Sequence, residues 1–179
     1  QVLTSAGAGA APAFEAAAGG GKIGQVIQTF MGDTATTTST SFVDLSGFTA
    51  AITPVATSSK VLVIFSIFLG GNVGYMSHVK LQKDTGGGGY ANVAVGTGSV
   101  SSRTPCTVFL RQWDTNGANT QSIHYLDTTN TVSEVTYKVQ WSSTENAVGT
   151  PTLNQVYDTT DEVRRPAGIS SLTLYEVLA

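Results

Sequence analysis

The chain has 179 residues, a formal net charge of −3 and only 12% charged residues, about half the charged fraction of a typical soluble domain. This length predicts a single domain. Its Lys and Arg residues form no basic stripe, which argues against nucleic acid or an anionic membrane surface as a partner. No apolar run is long enough to predict insertion into a membrane.

Residues 1–22 are dominated by small side chains, as in the stretch SAGAGAAPAFEAAAGGGK. Such a segment buries too little surface to offset the entropy of ordering it alone, but small side chains let several chains approach one axis. We therefore expect a stalk or linker, with a plain flexible tether as the alternative. Within it, only AFEAAA could form a turn of helix. The chain starts at Gln1 without Met or a signal-peptide pattern, which suggests a fragment of a longer protein.

Residues 23–179 are predicted to form the β domain. About ten short runs rich in β-branched and aromatic residues, each closed by Gly, Asn, Asp, Pro or Ser/Thr clusters, predict strands. In chain order they are KIGQVIQTFM, TSFVDLSG, FTAAITP, KVLVIFSIFLG, SHVKLQK, YANVAV, CTVFLRQW, SIHYLD, EVTYKVQW and ISSLTLYEV. Their number and spacing predict an all-β fold, an antiparallel β-sandwich of jelly-roll type.

Alternation assigns faces in two of these runs. In residues 134–141 the apolar residues share one side, which predicts a strand with one wet face: Val135, Tyr137, Val139 and Trp141. In residues 60–69 apolar side chains occupy both sides, since Leu62, Ile64 and Phe68 lie opposite the main apolar set. The second apolar face needs a cover, either a loop or another chain. We favour a neighbouring subunit.

No metal or cofactor site is predicted. His78 and His124 lie mid-strand with no cysteine or carboxylate at ligand spacing, so we interpret both as structural. The alternative is a metal held by one histidine from each chain on the axis of a trimer. The run Gly86 to Gly89 lacks the Lys-Ser/Thr of a phosphate loop and predicts a mobile hairpin loop.

The acidic set near residue 160 is no EF-hand, because the glycine and the spacing of that loop are missing. We expect Asp158, Asp161 and Glu162 to pair with Arg164 and Arg165 or to be solvated.

No catalytic residue is predicted. The sequence has no Gly-x-Ser-x-Gly elbow, and Cys106, the single cysteine, is flanked by Pro105 and Thr107 rather than by an activating base. Its apolar surroundings predict a buried small side chain. Paired carboxylates could cleave a glycan, but the repeats of a long β-helix are absent. A glycan-degrading enzyme is therefore the less favoured alternative.

Both ends of the chain resemble bacteriophage tail fibres. QVLTSAGAGAAPAFEAA is similar to a segment that precedes a distal domain in these fibres. GKIGQVIQTF and TSFVDLSGFTAAITPVATSSKVLV resemble the start of fibre-tip domains, and GISSLTLYEV resembles their closing strand. The resemblance implies a homotrimer in the virion, joined through its N-terminal side to other fibre or tail proteins. It extends almost equally to capsid-mounted head fibres, so a head fibre or a structural decoration module is the alternative. Residues 70–165 carry no such resemblance.

The function predicted from these features is a non-enzymatic receptor-binding tip that attaches to host polysaccharide or lipopolysaccharide. Counting chain reversals from residue 23 brings five loops to the distal end: residues 32–39, 54–59, 84–89, 114–120 and 143–150. Aromatic platforms and hydrogen-bonding side chains near these loops suit sugars. The candidates are Asp84, Tyr90, Trp113, Asp114, Asn116, Asn119, Glu145 and Asn146. The alternative is that Trp113 packs in the core and the Asp and Asn residues only form turns.

Overall fold

The computed structural model describes residues 2–4, 8–9, 11, 13–15, 22–98, 102–144 and 149–179. These residues form thirteen strands and no helix. The first two strands, β1 (Val2–Thr4) and β2 (Ala13–Glu15), pair antiparallel as a two-stranded sheet within the predicted stalk segment. Residues 13–15 of AFEAAA are therefore strand rather than helix, and residues 16–18 lie outside the described residues.

The β domain contains the other eleven strands. They are β3 (Ile23–Met31), β4 (Ala35–Thr36), β5 (Val43–Ile52), β6 (Lys60–Gly71), β7 (Met76–Thr85), β8 (Ala91–Val93), β9 (Val108–Arg111), β10 (Ala118–Thr128), β11 (Val135–Ser143), β12 (Pro151–Leu153) and β13 (Ser170–Val177). Every pairing between them is antiparallel. The short strands β4 and β12 were not predicted from the sequence.

Two sheets stack to form the sandwich. The larger sheet has the main order β3-β13-β6-β10, with β12 and β4 added at one end of β6. The smaller sheet has the order β5-β11-β7, and β8 and β9 pair with successive halves of the free edge of β7. With β8 and β9 counted as one strand, the sandwich has eight main strands. Numbered along the chain, they have the orders 1-8-3-6 and 2-7-4-5, so the chain passes back and forth between the two sheets as in a jelly roll. The predicted β-sandwich is confirmed.

Strand β5 unites two runs that were predicted as separate strands. Gly47 adopts a left-handed φ of +78°, and the register with β11 shifts between Lys138 and Gln140. This bulge moves the inward side by one residue, so Leu45 and Phe48 both face the core. The strand therefore continues through a glycine that ended the predicted run.

The predicted faces of β11 and β6 agree with the structure. The four inward residues of β11 are at most 2% exposed, and the inward residues of β6 are fully buried. On the outward side of β6, the Phe68 ring is covered by the chain itself: a Cβ added to Gly168 would lie 2.5 Å from that ring. Leu62 and Ile64 on the same side are half-buried. A loop thus covers part of this second apolar face, and a neighbouring subunit remains a prediction for the rest.

The strand registers define the two ends of the sandwich. Residue 22 enters at one end, where the Leu178 N–H donates to the Lys22 carbonyl; we call this the entry end. The loops of residues 53–59, 86–90 and 129–134 lie there as well. The opposite, far end carries residues 32–34, 72–75, 112–117 and 154–169, since Met31 pairs with Ser170 and Gly70 with Ala118.

Candidate functional site

Trp113 projects into solvent at the far end of the sandwich. Along β9, Leu110 faces the core while Phe109 and Arg111 face outward, and the alternation continues to Trp113. Trp113 is 75% exposed, and the Arg111 guanidinium lies 4.3 Å from its ring centroid. This cation–π contact supports a large aromatic ring at the surface. The alternative that Trp113 packs in the core is wrong; Trp141 is the buried tryptophan, at 2% exposed.

A tight turn directly follows Trp113. The Asp114 carboxylate accepts a hydrogen bond from the Asn116 N–H at 3.0 Å, and the Asp114 carbonyl accepts one from the Gly117 N–H at 3.1 Å. Gln112, which is buried, donates from its amide to the Gly117 carbonyl and so closes the turn from below. Asp114 therefore forms a turn, as the alternative interpretation predicted, and its side chain is exposed.

Arg165 links this turn to the neighbouring loop of residues 155–167. Its guanidinium forms an ion pair of 2.7 Å with Asp158 and one of 3.6 Å with Glu162, and its Nε donates to the Asn116 Oδ1 at 3.3 Å. The bridge between Gln155 and Ala167 closes the base of the loop. The predicted pairing of the acidic set is confirmed for these two carboxylates with Arg165.

The electrostatics of the loop follow from these contacts. Hydrogen bonds from the Thr160 hydroxyl and N–H, together with the charge of Arg165, lower the pKa of Asp158. The loop and Thr34 enclose a small cleft of about 210 Å³. Because Arg165 is only 13% exposed and satisfies two carboxylates, it acts mainly as a scaffold for the Asp114–Gly117 turn.

The other predicted site residues are not gathered at this end. Asp84 and Tyr90 lie at the entry end, where Asp84 accepts the Gly89 N–H at 2.9 Å and the Lys138 ammonium lies 4.0 Å from the Tyr90 ring centroid. Asn119 is exposed at the far-end start of β10. Glu145 and Asn146 lie outside the described residues.

The expectation that five loops share one end is therefore wrong for two of them. Residues 54–59 and 84–89 lie at the entry end because β5 is one strand, which removes one chain reversal from the count. Residues 114–120 return to the far end because β8 and β9 both pair antiparallel with β7 and so run in the same direction. These two departures cancel for the loop of residues 114–120, which lies at the far end as predicted. The loop of residues 32–39 precedes both departures and also lies at the predicted end.

Two residues that matter here, Arg111 and Arg165, were missing from the predicted set. The signal for Arg111 was available, because it alternates with Phe109 and Trp113 in a strand. For Arg165 the sequence predicted the ion pairs with nearby carboxylates but not the contact with Asn116, which joins residues 49 apart in the chain.

Two further site types leave no trace in the described residues. No group of three or more His, Cys, Asp or Glu side chains among them is placed to hold a metal ion. The described residues also contain no helix that is long and apolar enough to cross a membrane.

Comparison with known proteins yields little beyond the geometry. No protein-family model matches the sequence, and no curated protein does. Among solved structures, that of infectious bursal disease virus, Gx strain, is similar over 86% of this chain, with 10% sequence identity and a TM-score of 0.40. This chain spans 42% of the length of that viral chain. The fold and the candidate site are accordingly assigned from the contacts of the chain itself.

Proposed function

We propose that this chain is the non-enzymatic receptor-binding tip of a trimeric virion fibre, and that its far end attaches to polysaccharide or lipopolysaccharide on the host surface. The observation that carries the proposal is the exposed Trp113 at the end opposite to residue 22. Single exposed apolar residues occur on many protein surfaces, so the proposal combines this exposure with the hydrogen-bonding groups next to the ring in the chain. Aromatic side chains of this kind are typical anchors of binding sites.

The surroundings of Trp113 favour a sugar over a protein or a lipid. Asp114 and Asn116 place carboxylate and amide groups beside the ring on a turn that Arg165 holds in place. Sugars present an apolar ring face and many hydroxyls, which match a flat aromatic surface edged by donors and acceptors. The exposed rings of Trp113 and Phe109 form too small an apolar patch for a stable protein interface.

The proposed trimer would form through the outward face of the larger sheet. We call this surface the apolar face: Val26, Phe30, Leu62, Ile64, Leu126 and Tyr175. Phe30 is 62% exposed and Leu126 49% exposed. These side chains carry no charge and share the outward side of the sheet with His124 and, at the entry end, Lys60; contact with a second copy of the chain would remove the apolar ones from water.

The proposal places the chain at the far point of a fibre, with residues 1–22 leading back to the virion. The strands β1 and β2 in that segment, and the entry of residue 22 at the end opposite Trp113, are compatible with this direction. Within this function the chain needs no catalytic group and no cofactor. The resemblance of the two chain ends supports a virion fibre and extends almost equally to head fibres, so a head fibre is kept as the alternative location.

A structural or decoration module is the second candidate. The apolar face favours it, because assembly alone would explain that surface without any role for Trp113. The two candidates differ in whether the far end binds anything.

The test is capture on an array of bacterial polysaccharides and lipopolysaccharides. The folded protein should bind a subset of the array, and Trp113→Ala should lose that binding at least tenfold, as expected for a dominant anchor. Tyr90→Ala, an exposed aromatic residue at the entry end, is the matched control and should bind normally. Equal binding by wild type and Trp113→Ala, or release of new reducing ends from the captured polysaccharide, would contradict the proposal.

A further inference from the structure

A second concave surface lies on the outward side of the smaller sheet, apart from the turn at Trp113. It is a groove of about 740 Å³ with the strands β7 and β9 on one side and the described loop residues 96, 98 and 102–106 on the other. Met76, His78 and Phe109 form the strand side, and Arg103, Pro105 and Cys106 lie on the loop side. Ligand pockets usually have volumes in this range.

The backbone fixes both sides of this groove. His78 pairs directly with Phe109 across β7 and β9. On the loop side, the Gly96 N–H donates to the Cys106 carbonyl at 3.1 Å, and the Thr107 N–H donates to the Val79 carbonyl at 2.7 Å. The groove is therefore built on strand pairing and on hydrogen bonds that anchor the loop to β7.

The groove is basic in a chain that is acidic overall. Arg103 lines it, and Lys80 and Arg111 lie beside it on the outward sides of β7 and β9. Among the described residues, none of these three cations has an ion pair, and no carboxylate lines the groove. Lys80 and Arg111 each lie over an aromatic ring, those of Phe42 and Trp113. Arg103 is therefore the cation in the groove wall that an anionic ligand would pair with, and the other two charges lie nearby.

The surroundings of the groove shift the pKa values of two side chains that line it, His78 and Cys106. Burial, and then the charge of Lys80, lower the pKa of His78, so its imidazole is largely neutral at physiological pH and can both donate and accept hydrogen bonds. Burial raises the pKa of the Cys106 thiol, although the charge of Lys80 opposes that rise. Cys106 is thus a weakly polar wall residue rather than a nucleophile. Phe109, 58% exposed, offers an apolar surface beside them.

We propose that this groove binds an acidic oligosaccharide, with Phe109 against a sugar ring and Arg103 paired with a carboxylate of the sugar. The inference rests on the proposed attachment to host glycans and adds to it the charge class of the sugar and a second point of contact. Arg111 and its contact with the Trp113 ring join the groove to the far-end turn. One extended chain of sugars could therefore lie along both.

The test compares two tetrasaccharides of equal length by titration calorimetry at physiological salt: tetragalacturonate, which is acidic, and maltotetraose, which is neutral. The wild type should bind the acidic sugar at least tenfold more tightly. Arg103→Gln should weaken that binding about tenfold, the usual effect of losing a hydrogen bond to a charged group. Lys60→Gln removes the same charge from an exposed position on the other sheet and should change binding less than twofold.

The site itself can be located with methyl-labelled methionine. The chain has two methionines, and only Met76 lines the groove, while Met31 packs against the core. Tetragalacturonate should shift the Met76 signal and leave Met31 unchanged. Equal affinity for the neutral sugar, no binding of the acidic sugar, an equal loss in Lys60→Gln, or tighter binding of an eight-nucleotide oligothymidylate would each overturn the inference.

The two proposals fail separately. If Trp113→Ala abolishes capture of bacterial polysaccharide while Met76 does not respond to tetragalacturonate, the receptor function stands and the groove inference is wrong. If Met76 responds as expected but no polysaccharide or lipopolysaccharide is captured, the groove stands as a saccharide site and the receptor function is wrong.

Discussion

The phenol of Tyr137 donates a 2.6 Å hydrogen bond to the carboxylate of Asp127 and thereby joins the two sheets through the core. Tyr137 belongs to β11 in the smaller sheet, and Asp127 to β10 in the larger sheet. The Lys83 ammonium, on β7, completes the cluster at 2.8 Å. Burial raises the pKa of Tyr137 above its ordinary value, and the hydrogen bond to Asp127 and the charge of Asp127 add to that rise, so the phenol remains protonated as a donor.

Removing this phenol should weaken the sandwich. Tyr137→Phe leaves a buried carboxylate without one of its donors, and we expect the free energy of unfolding in urea to fall by about 1.5–3 kcal/mol. Tyr125→Phe is the control, because its hydroxyl reaches Asp127 at 3.3 Å and is only half-buried. Its loss should be less than about 1 kcal/mol. Equal losses in the two variants would show that the short bond has no special role.

Asn154 should anchor the far-end loop. It is fully buried with a left-handed φ of +57°, its amide donates to the carbonyls of Met31 and Asp33, and its Oδ1 accepts from Ser170. Asn154→Ala should lower the unfolding free energy by about 1–3 kcal/mol for each buried partner left unpaired.

The matched control for that variant is Asn130→Ala. Asn130 has a similar φ of +53° but is exposed, so it shares the backbone strain of alanine at positive φ without the buried hydrogen bonds. A loss in Asn130→Ala as large as that in Asn154→Ala, measured by urea denaturation, would assign the effect to backbone strain alone.

Glu176 should make the protein sensitive to acid. It is fully buried; burial raises its pKa, but hydrogen bonds from the Gln25 amide at 2.8 Å and the Val55 N–H at 2.7 Å outweigh that effect, so the net pKa is lowered. A lowered pKa in the folded state means that the ionised carboxylate stabilises the protein above its unfolded pKa of about 4.3. That contribution is lost as the pH falls through the folded pKa.

The measurement is urea denaturation between pH 7 and pH 3, with wild type compared with Glu176→Gln. The variant should be less stable at pH 7, and its stability should fall less steeply below about pH 5. Asp44 and Asp158 also have lowered pKa values and are retained in both proteins, so the difference between the two curves isolates Glu176. Parallel curves would show that this carboxylate does not couple folding to pH.

The apolar face predicts an oligomer that a charged substitution within this face should dissociate. Leu126 lies opposite Leu62 on this face, and Leu126→Glu would place a carboxylate in the buried centre of the proposed interface. We expect wild type to have a trimeric mass by light scattering at micromolar concentration and Leu126→Glu to be a folded monomer. Val163→Glu, at a fully exposed far-end position, should stay trimeric. A folded, monomeric wild type would contradict the trimer.

The local features of this protein could be predicted from its amino-acid sequence alone. Alternation with a period of two assigned the inward residues of β6 and β11 correctly, because successive side chains of a strand point to opposite faces whatever the strand pairs with. Turn-forming residues placed most strand boundaries, and the resulting number of strands indicated a sandwich. The charge pattern of residues 158–165 likewise predicted the ion pairs of Arg165 with Asp158 and Glu162, since both carboxylates lie within seven residues of it.

Strand pairing and the contacts between distant residues, in contrast, depended on the folded arrangement of the whole chain. The insertion of β13 between β3 and β6 joins segments far apart in the chain, and no local pattern encodes that choice. The bulge at Gly47 depends on pairing with β11, so the count of chain reversals was wrong at this point. As a result, Asp84 and Tyr90 lie at the opposite end of the sandwich from Trp113. The exposure of Trp113 and Phe109 was set in the same way, because burial depends on what the rest of the fold places over a side chain, and the described residues leave both rings more than half exposed.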